Sequence, residues 1–235
     1  LDQGIVDLGL SDHIHTPFNF TDIAWSRREF EAAKPPPSFH FGVEVSCVSQ
    51  WELDEVAKCD LVNPTYGIRT GGPAGAALAI AIDRRFLDAY SIEYVVAGTH
   101  WSMYVPFERD AIIREFHRQN MFLATHPLVD VVAHPWWWHG HWRDQAGHFN
   151  AEPWFDDFRR IPNSMHDEFK SAVRESGKKV EINLHAILLN RTYPERFKRQ
   201  YLEYLAGLDS AGVSLCIGSD CHGAHYEFDL ETPAA

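Results

Sequence analysis

Six short apolar runs, over residues 5–10, 39–45, 94–97, 129–133, 179–184 and 214–218, recur along the chain. They are rich in Val and Ile and lack the polar alternation of a half-exposed sheet, which is the texture of parallel strands covered on both faces. Between them the period lengthens, and the spacing predicts amphipathic helices over 21–33, 108–120, 164–176 and 194–210. The third takes Asn163 or Ser164 as its cap and stops at Gly177; the fourth carries Pro194 near its first turn and stops before Gly212. Strands and helices in alternation mean βα units, hence a barrel or a doubly wound sheet. Two stretches break the rhythm. Lys34 leads into three consecutive prolines, a rigid approach to the next strand. The stretch 135–155 is dense in Trp, His and Gly and reads as a loop over the top of the domain.

Bulk properties narrow the class. A length of 235 residues with 45% hydrophobic side chains suits one α/β domain spanning 1–235. No apolar run reaches the length of a membrane-spanning helix, and no basic stretch leads into an apolar one as in a signal peptide. Cys47, Cys59, Cys216 and Cys221 form no Cys-x-x-Cys pair, so a reduced, cytoplasmic protein is expected. The formal charge of −12 argues against nucleic acid and anionic membrane as partners. It does not exclude an anionic small molecule, because two or three divalent ions would add about +4 to +6 at the site.

Candidate chemistry gathers where the apolar runs end. Ser11-Asp12-His13-Ile14-His15 follows the first run, and Glu44 lies inside the second. Thr99-His100-Trp101 follows the third and Ala133-His134-Pro135 the fourth. Glu181 and Asn183 lie in the fifth, and Gly218-Ser219-Asp220-Cys221-His222 closes the sixth. Parallel barrels place functional groups at the carboxyl ends of their strands. Imidazole and carboxylate together suit Zn, Mn or Fe. Residues two apart on a strand share a side, so Asp220 and His222 can reach one site while Cys221 turns away.

In this order the motifs resemble the PHP (polymerase and histidinol phosphatase) superfamily over residues 1–222, and the His100-Trp101 pair is similar to its histidinol-phosphatase branch. The resemblance implies a distorted (β/α)7 TIM-like barrel, two or three divalent ions (Zn, Mn or Fe), and hydrolysis of a small phosphate monoester such as histidinol phosphate. It implies His13, Glu44, His100, His134, Asp220 and His222 as metal ligands, with Glu44 bridging two ions. The ends depart from the family, which opens with a strand carrying His-x-His. Here the first strand is expected to be absent, which would cost at least two ligands and weaken one or two metal sites. The alternative is that His13-Ile14-His15 is itself the opening motif. The family's final helix is also expected to be mostly absent, since thirteen residues follow His222.

The expected reaction uses a metal-activated water, with paired ions clamping the attacking and leaving oxygens. Arg69 and Arg191 are candidates for bidentate contact with the remaining phosphate oxygens. The aromatic run over 136–142 either stacks on a ring or alkyl part of the substrate, makes an oligomer contact, or tucks onto its own aromatics. His139 and His141 within it are not expected as ligands. Two rivals stand beside this reading. One is an amidohydrolase acting on C–N or C–O bonds, though none of Lys34, Lys58, Lys170, Lys178, Lys179 and Lys198 is placed to bridge metals at a strand's carboxyl end. The other is a degenerate, non-catalytic barrel. No Cys-x5-Arg loop and no Gly-x4-Gly-Lys-Ser/Thr loop is present, which excludes cysteine-phosphatase and P-loop chemistry.

Overall fold

The computed structural model describes residues 7–58, 66–68, 70–138, 154 and 157–222. Among them the order is β1 (Leu8–Ile14), α1 (Phe20–Ala33), β2 (Phe39–Ser46), β3 (Val48–Ser49), α2 (Gln50–Ala57), β4 (Leu78–Ala79), α3 (Arg84–Ala89), β5 (Tyr94–Gly98), α4 (Arg109–Thr125), β6 (Val131–Ala133), α5 (Asn163–Ser176), β7 (Lys179–Asn183), α6 (Glu195–Ser210) and β8 (Leu215–Gly218). Six strands pair in parallel in the order β1-β2-β5-β6-β7-β8, while β3 and β4 form a short antiparallel ladder. The large sheet curls into a half-barrel. Its edges, β1 and β8, share no ladder, yet His13 of β1 stacks on His222 just past β8 with ring centroids 5.0 Å apart. A doubly wound sheet would hold its edges apart, so the curled alternative applies. No described helix is long and apolar enough to cross a membrane.

Alternation on the strands decides what faces the concave side. A Cβ on Gly9 or Gly42 would overlap the Tyr94 side chain, so these positions leave room for that ring inside the half-barrel. Gly42, Glu44 and Ser46 therefore share the inward face of β2. The intervening Val43 and Val45, with Val95, Ala97, Val132 and Val180, turn outward and are buried. Ile112, Phe116, Phe169, Val173, Phe197, Tyr201, Leu205 and Leu208 of the helices join them in one core cluster. The open edges are less covered: Leu10 is 47% and Ile217 62% exposed.

Several expected boundaries shift. The first apolar run predicts a strand over 5–10, but β1 runs to Ile14, so Ser11, Asp12 and His13 lie within it; residues 5 and 6 lie outside the described set. Polar Ser11 and Asp12 read as a strand end from sequence. Here Asp12 Oδ2 accepts a bond from Ser26 Oγ of α1 at 2.5 Å. The helix expected at 108–120 continues to Thr125. Gln119 and Asn120 look like a stop, yet both are buried and tied to the loop after β5, by Gln119 Nε2 to the Trp101 carbonyl at 2.9 Å and Thr99 Oγ1 to Asn120 Oδ1 at 3.0 Å. Helices α2 and α3 were not expected, being only 8 and 6 residues long. Their caps were visible: Ser49 Oγ accepts from the Glu52 N–H and Asp83 Oδ1 from the Phe86 N–H. The prolines after Lys34 do end α1, whose C-cap Lys34 is left-handed with φ 49°.

Candidate metal centre

The β1–β2 register sets His13 directly opposite Glu44. Glu44 is 7% exposed, and three imidazoles converge on its carboxylate. His13 Nε2 lies 3.8 Å from Oε2, while His100 Nε2 and His134 Nε2 lie 3.4 and 3.3 Å from Oε1. On the other side, His13, Asp220 and His222 bring ligand atoms within 4.8 Å of one another, as do His13, Glu44 and His100. All six expected ligands thus come to one place. His13 belongs to both triads, and His134 joins through Glu44.

Strand ends are distorted to achieve this. His134 and Asp220 have φ of 28° and 49°, in the left-handed region that L side chains seldom adopt. The His134 N–H donates to Glu181 Oε2 at 2.8 Å, which holds the turn after β6. Asn183 Nδ2 donates to Glu181 Oε2 and to Asp220 Oδ2, both at 3.2 Å. Gly218 is a necessity here, because a Cβ would collide with the Glu181 carboxylate. Glu181 and Asn183 thereby brace His134 and Asp220 from behind.

Electrostatics follow from burial. Burial opposes the Glu44 charge, but the facing His100 and His134 rings, with His13, hold its pKa well below the usual carboxylate range. Burial also works against a charged His134; the Glu44 carboxylate, with the charges of Glu181 and Asp220, more than offsets it and raises the ring to about 9. His100 goes the other way, lowered by burial despite Glu44. Burial pushes Glu181 up to about 7, with the Glu44 charge adding to it.

The donor set fits a divalent ion. His100 Nδ1 lies 3.2 Å from the Gly98 carbonyl, which can only accept. The ring's proton therefore sits on Nδ1, and Nε2 turns a lone pair toward the Glu44 carboxylate. A lone pair facing a carboxylate in a buried site is an arrangement that a divalent cation would fit.

The remaining candidates divide. Arg191 is exposed in the turn before α6, and no described contact links it to the Glu44 cluster. Arg69, Cys59, His139, His141 and Trp142 lie outside the described residues. Within the aromatic run, Trp136 and Trp138 are core residues, 0% and 2% exposed, packed edge-on to Trp154 at 5.4 and 5.5 Å. The expected loop over the top is thus partly core. Trp137 faces the site, its ring 5.0 Å from His134 and 5.7 Å from His100. Two side chains at the site carry no role in the sequence reading, Ser46 and Tyr66. Ser46 was findable from Glu44 by the same two-residue step that links Asp220 to His222.

No protein-family model matches the chain, and no curated protein matches it. Among solved structures it is similar to hisK of Listeria monocytogenes, provisionally designated a histidinol phosphatase, with a TM-score of 0.51 over 92% of this chain and 84% of that chain. The shared feature is the fold. At 12% identity the likeness to hisK is distant, and it supports an α/β half-barrel of TIM-like kind.

Proposed function

We propose that residues 1–235 form one domain, the greater part of a distorted (β/α)7 barrel, acting as a metal-dependent phosphoesterase on a small phosphate monoester. The observation that carries this is the convergence of His13, His100 and His134 on buried Glu44, beside Asp220 and His222. The fold likeness to hisK favours ester hydrolysis of the histidinol-phosphate kind. Two or three ions of Zn, Mn or Fe would be held by these six residues. Such ions supply Lewis-acid activation of water and neutralise the phosphoryl charge. The chain's own residues do the rest: Glu181 and Asn183 fix the turns at His134 and Asp220, Trp137 walls the mouth, and the buried core excludes water from behind. The acidic chain is read as cytoplasmic, with no nucleic-acid or membrane partner. None of the six lysines sits at a strand's carboxyl end; Lys179 opens β7. That disfavours the amidohydrolase alternative with a lysine bridge. Stripping the protein with a chelator and assaying p-nitrophenyl phosphate, lactone and amide substrates with and without Mn tests the reading. Metal-dependent ester cleavage supports it; full phosphatase activity in metal-free buffer overturns it.

A further inference from the structure

His15 and Ser46 stand at the mouth of the site outside the ligand set. β1 ends at Ile14, and the His15 N–H donates to Asn19 Oδ1 at 2.9 Å. Asn19 is buried and completes a capping box with Thr16, so the main chain at His15 is fixed. The His15 ring lies 5.4 Å from that of His13, 5.3 Å from that of His100 and 5.5 Å from that of Tyr66. Ser46, 1% exposed, has its hydroxyl 2.6 Å from His15 Nδ1 and 3.0 Å from His100 Nδ1.

Counting hydrogens gives this chain a direction. The Gly98 carbonyl keeps the proton on His100 Nδ1, and that N–H is shared with the Ser46 oxygen. A hydroxyl has one hydrogen. His100 Nδ1 cannot accept it, so it goes to His15 Nδ1. With Nδ1 accepting, a neutral His15 carries its proton on Nε2. We propose that Ser46 is a positioning residue and that His15 binds substrate, presenting Nε2–H to a phosphoryl or leaving-group oxygen. This rests on the phosphoesterase reading. Metal ions attract phosphoryl oxygens without fixing their direction; a rigid neutral donor beside them orients the ester. Tyr66 beside the ring suits a flat or apolar leaving group.

The tautomer is read by long-range proton–nitrogen correlation of the His15 imidazole in metal-free protein. Wild type should show His15 unprotonated at Nδ1 and protonated at Nε2, and Ser46→Ala should release it to a tautomer mixture. In metal-loaded protein, His15→Phe should raise KM for p-nitrophenyl phosphate by about tenfold or more. His15→Gln, which keeps an N–H donor, should restore part of that, and metal content should not change. An Nδ1-protonated His15 in wild type, no response to Ser46→Ala, a wild-type KM in His15→Phe, or loss of a metal equivalent in His15→Phe would each overturn the proposal. If wild type hydrolyses no ester, the phosphoesterase reading fails and the substrate role of His15 with it, whereas the spectra still decide the Ser46-set tautomer.

Discussion

Glu44→Gln keeps the shape of the side chain and removes the charge on which three rings converge. In metal-free protein the first effect falls on His134, held at about 9 by Glu44 against the burial of its ring. Without the carboxylate, burial meets only the pull of Glu181 and Asp220, and the pKa of the ring should fall from about 9. Each unit of that fall corresponds to about 1.4 kcal/mol of interaction. The second effect is on metal. Supporting residues alone typically cost 10–100-fold in affinity when lost, so a shared ligand should cost at least about 100-fold. At a Mn concentration about 100-fold above the wild-type Kd, binding adds about 2.7 kcal/mol to stability. For a domain of this size that raises Tm by roughly 5–10 °C. Glu44→Gln at the same concentration should gain only about 0.4 kcal/mol, roughly 1 °C. Scanning calorimetry with and without Mn, beside histidine titration by NMR, reads both effects. An unchanged Mn shift together with an unchanged His134 titration refutes the placement of Glu44 at the centre of the cluster.

Gly218→Ala puts a methyl into the Glu181 carboxylate; denaturant unfolding should show a loss of about 1–3 kcal/mol, and a neutral result would mean that Glu181 is free to move. Burial lowers His166 to about 4 from 6.5, so between those values the unfolded chain binds more protons than the folded one. Its contribution, up to roughly 3 kcal/mol, is complete above pH 6.5 and lost as pH falls toward 4; His166→Phe should flatten that part of a stability–pH curve. Trp137→Ala should raise KM for an aryl phosphate about two- to tenfold while leaving metal content unchanged, as measured by steady-state kinetics and elemental analysis.

The strands that bury both faces are legible because Val43, Val45, Val95, Ala97, Val132 and Val180 are apolar for a local reason, and each is followed within a few residues by a group the site uses. That order of His, Glu, His, His, Asp and His on successive strand ends made the cluster readable before any geometry. What escaped depends on contacts distant in sequence. Gln119 and Asn120 look like a helix end, since nothing local says that their amides meet Trp101 and Thr99. Trp136 and Trp138 look like a surface loop until Trp154 and Phe116 close over them. The left-handed turns at His134 and Asp220 are invisible in a sequence that places no glycine there. The link from His100 through Ser46 to His15 joins three strand ends, and only the β1–β2–β5 register aligns them.

The most direct test is the metal content of purified, dialysed protein, measured by elemental mass spectrometry beside p-nitrophenyl phosphate turnover with and without Mn. Two or three equivalents per chain with Mn-dependent turnover is the expected result. No bound metal, with no turnover after Mn is added, would contradict a working metal centre and leave the half-barrel as a non-catalytic scaffold.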